Sequence, residues 1–236
     1  MKKIIVALAL LAAGSSFSQE VVSSANIVGF SRVSIPRGSR TIVGVPFNNG
    51  LSQSPSELFG GQLPPGSKLY VKPKGEPYAI EEYSVSAGAP PMFIETTNWL
   101  PNAASIGAGV GVWVEVPADA SQEAYDVTFS GDVAGQADLV AVSEGINLLS
   151  YPYPVRVAWT NTALAQGATV GDKLYAWNGT GYEVNEYTVN AGPPPTFTAI
   201  TNWSNPDLIL DISKGFWYTT ENQSITSVEE PLPYEL

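Results

Sequence analysis

The chain has 236 residues, 44% hydrophobic and 14% charged, with a formal net charge of −11 and neither histidine nor cysteine. So acidic a chain is repelled by nucleic acid and by anionic membrane surfaces. The missing residue types exclude Ser-His-Asp and Cys-His nucleophiles, zinc sites of the usual ligand set, and disulfides.

In chain order, Lys2 and Lys3 precede an apolar run from Ile4 to Ala13 and then small residues. That is the pattern of a secretory signal peptide over residues 1–18, cleaved near Ser18/Gln19. The run is too short to span a bilayer, so no membrane insertion is expected, and the lack of cysteine leaves no lipid anchor. The expected location is extracellular or at the cell surface. After cleavage nine basic residues would face 22 acidic ones.

From there the chain reads as short Val/Ile/Tyr/Trp runs separated by Gly and Pro, which predicts strands and turns. An opening strand leads to the apolar strand "TIVGVPF" from Thr41, and "SPSELF" from Ser54 suits one or two helical turns. "GSKLYV" from Gly66, the turn Lys72-Pro73-Lys74-Gly75 and "AIEEYSVSAG" from Ala79 predict a hairpin. A proline-rich strap, "AGAPPMFIETTNW", then runs from Ala87 to Trp99, and "GVGVWVEV" from Gly109 closes the unit.

The order then repeats. "NLLSYPY" from Asn147 falls on "TIVGVPF", "GDKLYA" from Gly171 on "GSKLYV", and "EVNEYTVNAG" from Glu183 on "AIEEYSVSAG". The strap returns as "AGPPPTFTAITNW" from Ala191, and "SKGFWYTT" from Ser213 matches the closing strand. Units of about a hundred residues can each own a core, so the repeat predicts duplicated domains and not a solenoid. The predicted fold is all-β: two tandem, internally duplicated, β-sandwich-like or flattened-barrel domains. The first spans 19–120 and the second 121–223, with a C-terminal tail at 224–236 outside the period.

"EGINLLSYPYPVRVAW", "DKLYAWNGTGY" and "ISKGFWYTT" resemble a β-rich module common in secreted bacterial proteins. Its pattern runs Gly-Trp-Asn-Leu-Ile, Asn-Pro-Tyr-Pro, a Tyr-x-Trp-Asn-Gly hairpin and a closing Gly-aromatic strand; here Ile146 stands where that family has Trp. The resemblance implies an exported β domain, appended or repeated, and no catalytic residue.

Chemistry is sparse. No phosphate-binding Gly-rich loop or EF-hand spacing is present, so no cofactor is expected. Asp207, Asp211 and neighbouring Asn residues match no calcium-loop spacing, and no metal is expected. A carboxylate pair is the remaining catalytic route. Glu82 and Glu186 recur, but strand alternation places them opposite Tyr83, Val85, Tyr187 and Val189, on a solvent face.

Aromatic residues in both units, such as Trp99, Trp203, Trp113 and Trp217, are expected to serve packing. Pro90, Pro91, Pro194 and Pro195 stiffen straps that end on Trp99 and Trp203, which would close each sandwich. Trp159 and Trp177 have no aromatic counterpart. With Asp172, Asn178 and Tyr182 they suggest a flat aromatic surface for extracellular glycans. Residues 19–120 carry −2 and the remainder −11, with Arg32, Arg37 and Arg40 clustered near one turn. That asymmetry suits head-to-tail self-association. The expected function is a secreted, non-enzymatic structural or assembly protein. Glycan binding is the alternative, and a carboxylate glycosidase a more distant one.

Overall fold

A computed structural model describes residues 27–47, 53–73, 76–87, 95–191, 199–223 and 225–235. Residues 1–18, where a signal peptide is expected, and the strap prolines Pro90, Pro91, Pro194 and Pro195 lie outside the described residues.

β1 (Val28–Pro36) buries Ser31, Val33 and Ile35 on one face, as period-two alternation requires. After a turn holding Arg37 come β2 (Arg40–Gly44), α1 (Pro55–Phe59), β3 (Lys68–Val71), β4 (Ala79–Ser86), β5 (Thr96–Leu100), β6 (Gly111–Glu115) and β7 (Ala124–Asp132). Five strands form an antiparallel sheet in the order β2-β6-β3-β4-β5. β1 and β7 make a separate ribbon, paired from Val28–Asp132 to Pro36–Ala124. Ile35, Val127 and Phe129 from the ribbon pack on Leu69, Val112, Val114 and Trp99 from the sheet. Sheet and ribbon are the two layers of a sandwich.

The second domain repeats the plan with β8 (Asp138–Ala141), β9 (Gly145–Ser150), β10 (Val157–Ala158), α2 (Ala163–Gln166), β11 (Lys173–Trp177), β12 (Tyr182–Asn190), β13 (Ile200–Trp203), β14 (Ile209–Leu210), β15 (Gly215–Thr220) and β16 (Ser227–Glu230). Its sheet runs β9-β15-β11-β12-β13, the same sequence of roles, and β8 pairs with β16 as the covering ribbon. The protein is therefore all-β, built as two tandem sandwich-like domains, with no closed barrel among the described residues.

The packing divides the chain differently from the sequence motifs. β7 stands beyond residue 120, yet it pairs with β1 and gives Tyr125, Val127 and Phe129 to the first core. β16 lies in the tail beyond residue 223, yet Ile225, Val228, Leu232 and Tyr234 pack on the second core. Core residues change allegiance between Val133 and Ala134. A periodic sequence defines the repeat length but not where each unit starts; strand pairing sets that phase.

The two sheets meet where β2 and β9 lie. Val43 bridges Lys214 and Val110 bridges Leu149, both antiparallel. Gly44 donates its N–H to the Ser213 carbonyl (3.0 Å), and Ser150 donates to that of Gly109 (2.9 Å). Exchanging the halves (43 for 149, 44 for 150, 109 for 213, 110 for 214) carries each contact onto its mate. The join has the form of an isologous, two-fold-like interface within one chain.

Candidate functional site

Side chains alternate across a strand, so when one sheet face makes the core, the other carries a second set of residues. On the outer face of the first sheet Ile42, Trp113, Tyr70 and Ile80 stand in register across β2, β6, β3 and β4. On the second sheet Leu148, Trp217, Tyr175 and Val184 do the same across β9, β15, β11 and β12. The join brings the two rows together. Tyr70, Tyr78, Trp113, Trp177, Tyr182 and Trp217, with Arg40, line a cleft of about 470 Å³ between the domains.

Each hairpin reaches toward the other sheet. Trp177, at the end of β11, donates its indole N–H to the Arg40 carbonyl (3.0 Å), and its ring meets that of Trp113 at 5.4 Å and 69°. Tyr78 meets Trp217 at 6.2 Å and 86°. Trp217 donates its N–H to the Tyr182 hydroxyl (3.1 Å), and Tyr182 lies edge-on to Trp177. These steep interplanar angles make walls, not the flat platform that the sequence suggested. Tyr78 and Tyr182 remain 43% and 45% exposed, so ring surface stays open to a ligand. Burial, first of all, and then the neighbouring Tyr182 phenol raise the Tyr78 phenol above its ordinary value.

One rim is polar. Glu115 accepts from Arg40 Nε (2.9 Å), Arg40 Nη2 (2.8 Å) and the Tyr70 hydroxyl (2.6 Å), all on Oε2. The Arg40 guanidinium also lies 5.2 Å from the centre of the Tyr70 ring. Burial, then the bond to Glu115, raises the Tyr70 phenol.

The five residues grouped from the sequence do not assemble. Trp177 and Tyr182 line the cleft, and Asn178 sits beside it, its side chain closing the hairpin by accepting from Thr180 and Gly181. Trp159 is fully buried in the second core against Trp203 and Phe216. Asp172 is buried too, accepting from the Thr169 N–H (2.9 Å) and the Tyr218 hydroxyl (2.6 Å). Trp159 and Trp177 both lack an aromatic counterpart, yet one packs in a core and the other lines the cleft, so that feature alone does not separate packing from site residues.

Trp99 and Trp203 are buried, and their indole N–H groups bond to the carbonyls of Gly60 (3.0 Å) and Ala165 (3.1 Å). The three arginines near the β1–β2 turn each pair with an acid of the same chain: Arg32 with Asp126 (3.6 Å), Arg37 with Glu123 (2.7 Å) and Arg40 with Glu115. Glu82 and Glu186 sit on separate sheets, facing Lys68 (3.6 Å) and Lys173 (3.4 Å) on the neighbouring strands. Asp211 pairs with Arg156 at 2.7 Å, and among the described residues no cluster of three acidic side chains is placed to hold a metal ion. No helix among them is long and apolar enough to cross a membrane.

Tyr70, Trp113 and Trp217 are cleft residues that sequence reasoning missed, because residues present in both units were assigned to the common core; Tyr78, in the hairpin, was not singled out. The signal was available. Tyr70 and Trp113 alternate with the buried Leu69, Val71, Val112 and Val114, so they had to face outward. Comparison with protein-family models, with curated proteins and with solved structures finds no match.

Proposed function

We propose that the chain is an exported, non-enzymatic protein that binds extracellular glycans in the aromatic cleft between its domains. One observation carries this: six aromatic side chains from both domains converge on one open cleft with a polar rim. Pyranose rings present C–H faces that pack on aromatic walls and hydroxyls that bond to rim groups. An apolar site with a few placed polar groups suits both.

The cleft holds Trp113, Trp177 and Trp217, while Trp99, Trp159 and Trp203 lie in the cores, so tryptophan emission reports on the site. Titration with a panel of soluble polysaccharides is expected to change emission for at least one glycan, and Trp177→Ala to abolish that response. Silence across a broad panel overturns the proposal.

Self-assembly is a second reading, favoured by Val28 and Phe30, which stand 68% and 79% exposed at one end of the β1–β7 ribbon. Such apolar exposure at an element's end suits a partner surface. Light scattering over rising concentration tests it, and a monodisperse monomer throughout rejects it. The paired arginines weaken the head-to-tail charge scheme, since exposed ion pairs already compensate the basic patch.

A further inference from the structure

Beside the aromatic row on the first sheet runs a charged one. Arg40, Glu115, Lys68 and Glu82 stand in register across β2, β6, β3 and β4, alternating in sign. Arg40 is held by Glu115, and Lys68 faces Glu82. The row therefore offers no uncompensated cation to an acidic ligand, and the chain as a whole carries −11. A uronate polymer would meet net repulsion on approach and no counter-charge on arrival.

Glu115 is not itself a lining residue of the cleft but stands beside it, bonded to the lining residues Arg40 and Tyr70. Its three donors all converge on Oε2, and among the described residues no donor reaches Oε1. The side chain is 31% exposed and held in place by Arg40 and Tyr70. A carboxylate oxygen fixed beside Arg40 and Tyr70 of the cleft can accept from hydroxyl donors and repels carboxylates.

We propose that the cleft selects an uncharged hexopyranose chain, with the aromatic walls taking the sugar faces and Glu115 Oε1 accepting a hydroxyl hydrogen. This assignment rests on the glycan-binding role proposed above and specifies its ligand class. Glu115→Gln has two effects: it weakens the hydroxyl contact and releases Arg40 as a free cation.

The test uses the full exported chain and four soluble probes: a β-glucan, a galactomannan, polygalacturonate and alginate. Binding is read by tryptophan emission at low and at high salt. The expected result is binding of at least one neutral polymer and of neither uronate polymer. In Glu115→Gln neutral binding falls about tenfold, the size of one charged hydrogen bond, and uronate affinity rises in a salt-sensitive way. Tyr70→Phe, which keeps the ring but removes one donor to Glu115, gives a smaller loss in the same direction. Uronate binding by the unaltered protein overturns the ligand class while leaving the cleft as a glycan site. Unchanged neutral binding in both variants overturns the role of Glu115. No binding of any probe, neutral or acidic, overturns this inference, and the wider panel then decides the glycan-binding role itself.

Discussion

A Cβ built on Gly111 would stand 2.6 Å from the Leu149 carbonyl oxygen and 3.0 Å from its backbone nitrogen and carbonyl carbon. The obstacle is backbone, so no side-chain rotation relieves it. Gly215, the counterpart in the second domain, is pressed likewise: its Cβ would fall 2.3 Å from Ile42 Cγ2 and 3.1 Å from the Val43 carbonyl oxygen. Glycine at both places lets the sheets touch backbone to backbone, which sets how closely the aromatic rows approach. Gly111→Ala is therefore expected to cost about 1–3 kcal/mol, a fall in Tm of about 2–4 °C per kcal/mol for a chain of this size. Because Trp113 lies two residues further along β6, the same variant should alter tryptophan emission. An unchanged melting curve would mean that the sheets do not meet in this way.

Glu81, not Glu82, is the carboxylate that the first domain buries. At 1% exposure it accepts the backbone N–H groups of Asn102, of Ala103 (2.9 Å) and of Ala104 (2.7 Å), tying β4 to the turn after β5. Asn185 does the equivalent work in the second domain, accepting from the Asn205 N–H and donating to its carbonyl, both at 2.8 Å. Glu81→Ala removes a buried carboxylate that accepts three part-buried backbone N–H groups and should cost about 3–5 kcal/mol, whereas Glu82→Ala removes only an exposed pair and should cost under about 1 kcal/mol. Chemical denaturation of the two variants separates them, and equal losses would contradict the anchoring role.

Much of the fold was legible because it follows from local rules. Alternation around "EYSV" and "EYTV", glycine-bearing turns and the repeated order of runs gave an all-β, two-domain architecture. Two features were not local. β7 and β16 pair with strands about a hundred residues earlier, and no short-range signal says which unit a terminal strand joins. The cleft exists only because two outer sheet faces meet. Strand alternation turns Trp113 and Trp217 outward in either unit alone; only the contact of one domain with the other, which no short-range pattern announces, makes them a site. Trp159 shows the converse. It lacks an aromatic counterpart yet is fully buried against Trp203 and Phe216, and nothing in the sequence distinguishes such a packing residue from a ligand contact.

Glu230 makes the join between the C-terminal strand and the second core sensitive to pH. It is buried, with both carboxylate oxygens accepting from the Ala163 N–H (3.1 and 2.9 Å). Burial outweighs those bonds and raises its pKa above the ordinary 4.5. A carboxyl whose pKa is higher in the folded than in the unfolded state favours folding in its protonated form. Its contribution is complete below about 4.5, and it is lost as pH rises through the higher folded value. Melting temperature should accordingly rise, for this group, as pH falls from neutrality toward 4.5. Glu230→Gln should remove that gain. A variant whose pH profile parallels the parent's would assign the dependence to other acids.

β16 lies where the sequence motifs end, yet the structure makes it a layer of the second sandwich. It covers β8 from Ala141–Ser227 to Asp138–Glu230, and Val228, Leu232 and Tyr234 cover the second core. Tyr153 donates to the Glu230 carbonyl, a bond that fixes the strand to a fully buried ring. Burial, first of all, pushes that phenol up to about 12, so it stays a donor across the physiological range. In the first domain the same place is taken by β7, which is followed by more chain and cannot be removed without cutting the protein in two. Ending the chain after Gln223 should therefore damage one domain and spare the other. Losing four partly buried apolar side chains (Ile225, Val228, Leu232 and Tyr234) and the Glu230 bonds should cost the second domain about 3–5 kcal/mol, much of what a domain of this size has. Calorimetry of the truncated protein is expected to show a lowered or absent second-domain transition beside a first-domain transition close to its original temperature. A single transition at the parent's temperature would mean that the tail is dispensable and that the second core closes without it.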